Sequence, residues 1–364
     1  ASDVYKRQKL NFSVKLTNDG SIGLYNKEVD DIYHSTYGAY NEAVDKFINP
    51  SGLESFLQTH NKIKILDICS GMGYNLKAAV DTVFRVNPDC CIEIDCLEID
   101  SYVFSFGLLY KVAQIDYDVH YFLLEKFWDN SVVSECMVEL LENDEICQFL
   151  DEKLALFFVE NKMSEIELMG RRHNNSKIHN IYYKYMSDRN KYTPKSRLKF
   201  SKNRLRVFFD DARTSIKHLE GRYDFIFHDG FTPAKQSVLW SYEFFNELKR
   251  IISSSGNITT YSSSAPVRAA LIQSGFHVSK ISSENRKTSG TFASLSKEFS
   301  QIPLSDEEIG LLKTRAGIVY HDEGLVQNHD EIIKRREEEV KNSSLASSSS
   351  YLKSFKNKNK DILK

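Results

Sequence analysis

Apolar positions along the chain follow two rhythms in turn. Short, nearly continuous apolar runs occur at 62–68 (KIKILDI), 91–97 (CIEIDCL), 205–209 (LRVFF), 223–228 (YDFIFH), 257–261 (NITTY), 276–281 (FHVSKI) and 290–295 (GTFASL). Runs of this length without strict alternation are the pattern of strands buried on both faces. Between them, 76–84, 212–219, 237–252 and 266–274 return to helical spacing. Strands alternating with helices predict an α/β fold of Rossmann-like type, a mostly parallel sheet with helices on both faces.

The remaining segments hang on that frame. Residues 10–30 alternate on either side of Asn18-Asp19-Gly20, a hairpin signal. In DDIYHSTYGAYNEAVDKFI, Ser35 or Thr36 can cap a helix whose face carries Ala39, Ala43, Phe47 and Ile48. From 103 to 169 the spacing is helical, acidic outside and apolar inside. The expected organisation is a lead-in of hairpin and helix over 1–60 and a core over 61–118 and 205–300. A helical insertion, acidic then basic, occupies 119–204, C-terminal helices 301–345, and a disordered Ser- and Lys-rich tail 346–364.

Charge changes this picture more than composition does. The net charge of −2 conceals fourteen Asp/Glu against three Lys/Arg between Asp116 and Met169, then twelve Lys/Arg against Asp188 alone between Gly170 and Arg206. A hydrophobic content of 41% is that of a folded chain. No apolar run approaches the ~18 residues a membrane helix needs, and the opening ASDVYKRQ has no apolar core of a signal peptide. The six cysteines form no CxxC pair and sit mostly in strand-like surroundings, which reads as buried thiols in a reducing, cytoplasmic setting and predicts no metal site.

The candidate chemistry lies at the strand ends. ILDICSGMGYN is a strand-to-helix turn in which Gly71 and Gly73 let a ligand approach the backbone, with Asn75 closing the loop and Asp67 just before it. Glu98 ends the next strand, where a carboxylate can take both hydroxyls of a ribose. The turn is not a dinucleotide fingerprint, so a pyrophosphate is not demanded. S-adenosyl-L-methionine, a ribonucleoside without phosphate, fits better. Asp211, followed by the small Ala212, ends the third strand and suits recognition of an adenine amino group. Capping the helix that starts at Ala212 is the alternative, and the two roles are compatible. Asp229 ends the fourth strand in FHDGFTPAKQ. Four carboxylates along one rim weaken the reading of each as an ordinary turn residue.

The segment DFIFHDGFTPAKQSVLWSYEFFNELKR, followed by GNITTYSSSAPVRAALIQSGF, resembles the methyltransferase domain of MnmC, which completes 5-methylaminomethyl-2-thiouridine at the wobble position of tRNA. DDIYHS with Glu42 resembles an N-terminal element of the same family. The resemblance covers most of 10–118 and 205–325. It implies a class I S-adenosyl-L-methionine-dependent methyltransferase standing alone, without the flavin-dependent oxidoreductase half. Gly71, Gly73 and Asn75 correspond to the cofactor loop, Glu98 to the ribose carboxylate, Asp211 to the adenine-side acid, Asp229 to the active-site acid and Phe231 to the aromatic beside it. Cys69 and Asp210 stand where the pattern has glycines, which adds bulk near the cofactor.

The implied reaction methylates the exocyclic amine of 5-aminomethyl-(2-thio)uridine, with Asp229 orienting the amine. Phe231 stacks on the uracil or walls the methyl from water, and Tyr33, His34 and Ser35 close over the cofactor. A tRNA partner needs cations and stacking rings. Arg171, Arg172, Lys184, Arg189 and Lys191 supply the first, interleaved with tyrosines, and Lys235 lies near the site. The preceding acidic block could neutralise these cations instead. Two other readings fit parts of the chain: a methyl- or aminopropyl-transferase acting on a small amine, and a non-catalytic RNA-binding Rossmann protein.

Overall fold

The computed structural model of the chain describes residues 12–33, 38–173, 203–281, 290–299 and 301–362. They form two compact units, drawn from within 1–43, 71–81 and 100–201, and from within 44–70, 82–99 and 202–364.

In the first unit, β1 (Phe12–Leu16), β2 (Ile22–Asn26) and β3 (Asp31–Ile32) form an antiparallel sheet, with the expected hairpin joining β1 to β2. The expected helix starts at Ala39, its expected cap at Ser35 or Thr36 falls outside the described residues, and Asp31–Ile32 pairs with β2. Helix α1 (Tyr74–Val86) begins here. The Tyr74 hydroxyl donates to the Ile22 carbonyl at 2.7 Å and accepts from the Ile22 amide at 3.2 Å. One side chain thereby satisfies both backbone groups of a buried residue. Helices α2 (Ser101–Leu109), α3 (Tyr117–Phe127), α4 (Ser131–Glu142) and α5 (Glu152–His173) follow. Each of α2, α4 and α5 starts under a side-chain carbonyl or carboxylate, from Asp100, Asn130 and Asp151, that accepts from two amides of the first turn. Their apolar faces bury Phe104, Phe127, Met137, Leu141, Leu154 and Phe158. Gly107 on α2 lies so close to the Met72 carbonyl that any Cβ there would collide with it. The Gly107 carbonyl accepts from the buried Lys77 ammonium at 2.7 Å. Burial, with Lys111 nearby, pushes the Lys77 pKa down to about 7.

The second unit is built on an eight-stranded sheet of β4 (Lys62–Ile68), β5 (Cys91–Glu98), β6 (Arg204–Phe209), β7 (Tyr223–His228), β8 (Ile252–Thr260), β9 (His277–Lys280), β10 (Thr291–Ser294) and β11 (Ile302–Pro303). Its order is β11-β9-β10-β8-β7-β4-β5-β6. The pairs from β6 through β8 are parallel, and β10 and its neighbours are antiparallel. This is the mostly parallel sheet that the apolar runs predict. The central β4 and β7 are nearly wholly buried, as strands covered on both faces must be. Helices α6 (Ala212–His218), α7 (Tyr242–Ile251) and α8 (Ala265–Gln273) return the chain between strands. Phe244, Phe245, Leu248, Val267 and Leu271 from them pack with Leu66, Ile226 and Ile258 of the sheet.

The C-terminal helices are α9 (Asp306–Leu312), α10 (His329–Asn342) and α11 (Ser348–Ile362). The last covers residues that composition alone reads as unstructured. The Tyr351 and Phe355 rings meet at a tilt one helical turn apart, and the Tyr351 hydroxyl donates to the Asp306 carbonyl at the start of α9. Two aromatic anchors in a polar segment suffice to give it a packed face.

Candidate active site

Strand order reverses between β4 and β7, since β5 and β6 lie on one side of β4 and β7 and β8 on the other. Such a switch opens a crevice beyond the carboxyl ends of the two central strands, where ligands of open α/β sheets bind. The Asp229 amide donates to the Ile68 carbonyl at 3.1 Å, so the two strand ends are tied at this point.

Beyond β4, the chain turns at Cys69, whose φ of 61° is left-handed. A residue with a Cβ pays roughly 1–2 kcal/mol for that conformation, which is the physical reason glycine is the expected residue there. The Cys69 and Ser70 amides both donate to the Leu97 carbonyl, at 2.8 and 3.2 Å. Gly71 (φ 53°) and Gly73 (φ 71°) continue the turn in left-handed conformations, which glycine enters without penalty. Tyr74 then begins α1, with Asn75 buried in its first turn.

Four carboxylates from the second unit's strand ends lie near enough to act electrostatically on Cys69. Burial raises the Cys69 thiol pKa well above its usual range, and the charges of Glu98, Asp229, Asp67 and Asp211 push it in the same direction. The thiol therefore stays protonated. Asp67 and Glu98 are buried, and Glu98 accepts from the Ile99 amide at 2.9 Å. Negative charge gathered near these strand ends would disfavour a pyrophosphate and favour a sulfonium cation. The residues present therefore fit a phosphate-free ribonucleoside bearing positive charge.

Asp211 caps α6 by accepting from the Arg213 amide at 2.8 Å, so the capping role is real. Its two oxygens also accept from the Arg213 guanidinium, the shortest contact being 2.6 Å. Burial raises the Asp211 pKa, but these bonds outweigh it and hold the carboxyl below the usual range. Arg213 bridges onward to the fully buried Asp322 at 2.8 Å and to the Gln327 carbonyl. Ala212 is buried behind it, and Asp210 is exposed.

Asp229 and Phe231 are half-buried in the turn after β7, and Gly230 is buried between them. A Cβ on Gly230 would lie 3.6 Å from the Cys69 sulfur, so the turns after β4 and β7 pack directly. The Tyr261 hydroxyl donates to the Gly230 carbonyl at 2.8 Å, and the Trp240 indole N–H to the Phe231 carbonyl at 2.8 Å. His228, fully buried beneath the turn, packs its ring 4.2 Å from that of Trp240 and donates from Nε2 to the Leu239 carbonyl at 2.9 Å. Burial pushes its pKa down to about 4, so the ring is neutral at physiological pH. Farther along, the Ser237 amide donates to His329 Nδ1 at 3.0 Å. Lys235 is exposed, its amide bonded to the Thr232 carbonyl.

Asp67, Glu98, Asp211 and Asp229 are thus brought together near Cys69. Tyr33 lies in the first unit, its hydroxyl accepting from the Asn26 amide group at 3.1 Å. His34, Ser35, Lys184, Arg189 and Lys191 fall outside the described residues, as do the side chains of Arg171 and Arg172. Among the described residues, no cluster of three metal-ligating side chains forms and no helix is long and apolar enough to cross a membrane. Sequence reasoning missed Arg213, His228 and Tyr261, and noted Trp240 only as part of a motif. An aromatic donor directly after β8 and a histidine inside an apolar strand were the available signals.

Residues 173–296 match the family described as S-adenosyl-L-methionine-dependent methyltransferase. An uncharacterized protein of Methanocaldococcus jannaschii is 26% identical over 277 residues, 76% of this chain and 58% of that protein. The tRNA 5-methylaminomethyl-2-thiouridine biosynthesis bifunctional protein MnmC of Ralstonia nicotianae is 24% identical over 270 residues, 74% of this chain but 32% of its own length. The chain therefore spans less than two thirds of these relatives. Among solved structures, MnmC2 from Aquifex aeolicus superposes with a TM-score of 0.64 at 24% identity, covering 92% of this chain and 87% of the other. That likeness concerns the fold.

Proposed function

We propose that the chain, which matches the S-adenosyl-L-methionine-dependent methyltransferase family over residues 173–296 and is similar to MnmC proteins, methylates the exocyclic amine of 5-aminomethyl-(2-thio)uridine at the wobble position of tRNA. The observation that carries this reading is the rim of Asp67, Glu98, Asp211 and Asp229 near Cys69. An aliphatic amine arrives as an ammonium, and an acidic rim attracts it where it would repel a phenolate or carboxylate acceptor.

When bound, S-adenosyl-L-methionine supplies a sulfonium methyl whose S–C electron pair stays on sulfur as the amine lone pair forms the new N–C bond. Glu98 would accept from the ribose hydroxyls, and Asp211, both of whose oxygens already accept from Arg213, would lie on the adenine side. Asp229 accepts a hydrogen bond from the substrate ammonium and takes one proton from it, leaving the neutral amine. Phe231 covers the uracil side and excludes water. Holding the amine in line contributes more than the proton transfer, because orientation alone supplies several powers of ten.

The basic segment 170–206 is assigned to the tRNA backbone, with Lys235 nearer the target base. Labelled methyl donor incubated with tRNA carrying 5-aminomethyluridine tests the assignment. Transfer to that tRNA, abolished in Asp229→Ala with cofactor binding retained in calorimetry, is the expected result. Label entering free polyamines but never the tRNA would move the acceptor to a small amine. An Asp229→Ala enzyme with wild-type turnover would remove Asp229 from the chemistry.

A further inference from the structure

We propose that Tyr261 and Trp240 are positioning residues for the transfer, a pair of hydrogen-bond donors that fixes the Asp229–Phe231 turn through its own carbonyls. The inference rests on Asp229 being the residue that faces the amine. Its starting point is a problem of backbone accounting. Beyond β7 the sheet ladder has ended, so the carbonyls of the turn have no strand to pair with, yet Gly230 is buried. Each of two successive carbonyls receives one side-chain donor instead: the Tyr261 hydroxyl at Gly230 and the Trp240 indole at Phe231, both at 2.8 Å. Together with the Asp229 amide on the Ile68 carbonyl, three consecutive residues each have a backbone group anchored.

The donors are themselves braced. Their rings meet edge to face, with centroids 6.1 Å apart and planes at 84°. Trp240 is fully buried against His228. Tyr261 is followed by Ser262, whose carbonyl accepts from the Thr291 hydroxyl at 2.6 Å, and Thr291 in turn accepts from Arg268 Nε at 3.0 Å. Arg268 is buried and ion-paired to Glu308 at 3.0 Å. The turn is thus referred to the antiparallel side of the sheet, well away from the cofactor-side strands β5 and β6. This matters for chemistry because a displacement of about 1 Å in a reacting group costs on the order of a hundredfold in rate. A flexible Asp229 would sample that range; a turn with fixed carbonyls does not.

Tyr261→Phe deletes one hydroxyl and keeps the ring, so the fold is expected to survive. Methyl transfer to aminomethyluridine tRNA, cofactor affinity by calorimetry, the melting temperature and amide exchange of the peptide covering 229–236 are measured on the full chain. The expected result is a kcat at least tenfold lower, with cofactor Kd within twofold, a melting temperature lowered by no more than a few degrees for the lost hydrogen bond, and faster exchange at 229–236. Trp240→Phe is expected to lower kcat in the same direction. A Tyr261→Phe enzyme with kcat within twofold of wild type overturns the inference, as does a parallel fall of kcat, cofactor affinity and melting temperature, which marks a structural role only. A wild-type chain that methylates no amine overturns the assignment of Asp229, and with it the positioning role. That outcome is distinct from an active wild type and an unaffected variant.

Discussion

The turns leaving β4 and β7 are neighbours at the same switch in strand order, and they are held in shape by opposite means. After β4, three left-handed residues, Cys69, Gly71 and Gly73, set the path, and Gly107 presses against the Met72 carbonyl. That turn is shaped by what is missing, namely side-chain atoms at Gly71, Gly73 and Gly107. After β7, none of Asp229, Gly230 and Phe231 has a positive φ, and side-chain donors from elsewhere hold the carbonyls. That turn is shaped by what is added. A ligand that must touch backbone benefits from the first arrangement, and a side chain that must be aimed benefits from the second.

The comparison can be broken most severely by adding a methyl group to the first turn's support. Gly107→Ala would place its Cβ against the Met72 backbone, where no flexible side chain can yield. A loss of about 3 kcal/mol in chemical denaturation is expected, with weakened cofactor binding. An unchanged denaturation midpoint would show that the contact can relax. The second turn is more sensitive to acid than to added bulk. His228 has a folded pKa pushed by burial from 6.5 to about 4, so the unfolded chain binds the extra proton between those values. Its contribution is fully present above about pH 6.5 and is lost as pH falls toward 4, roughly 2 kcal/mol between pH 7 and 5. His228→Gln can keep a donor for the Leu239 carbonyl without titrating, and its stability should fall less over that interval. Parallel pH profiles for the two proteins would remove His228 as the source. The smallest change sharpens the contrast. Cys69→Gly relieves a left-handed non-glycine residue, and a gain of about 1 kcal/mol or less is expected, because glycine's freedom in the unfolded chain offsets part of the relief. A clear loss would mean that the thiol's packing outweighs its backbone strain.

What could be read from the sequence follows the same division. The strands β4, β5 and β7 are visible because burial on both faces leaves an apolar run, and the glycine turn is visible because backbone need is written in residue type. Asp67, Glu98, Asp211 and Asp229 are visible because each follows or closes such a run. Tyr261 and Arg213 were not, because a tyrosine at a strand end and an arginine in a first helical turn have many ordinary uses. Their partners, the Gly230 carbonyl and Asp322, are 31 and 109 positions away. The helix Ser348–Ile362 escaped for another reason: serine and lysine dominate its composition, while its order rests on a few aromatic contacts.

The pairing of β4 with β7 also sets a timetable. Asp224 on β7 accepts from the Lys64 amide, 160 positions earlier in the chain. At a synthesis rate of 5–20 residues per second, roughly 8–30 s separate the appearance of these partners at the ribosome. For that interval β4 has β5 available on one side and nothing of its own on the other. A central, strongly apolar strand is then an open edge, and the growing chain is at its most vulnerable to pairing with a stranger before residue 228 has emerged.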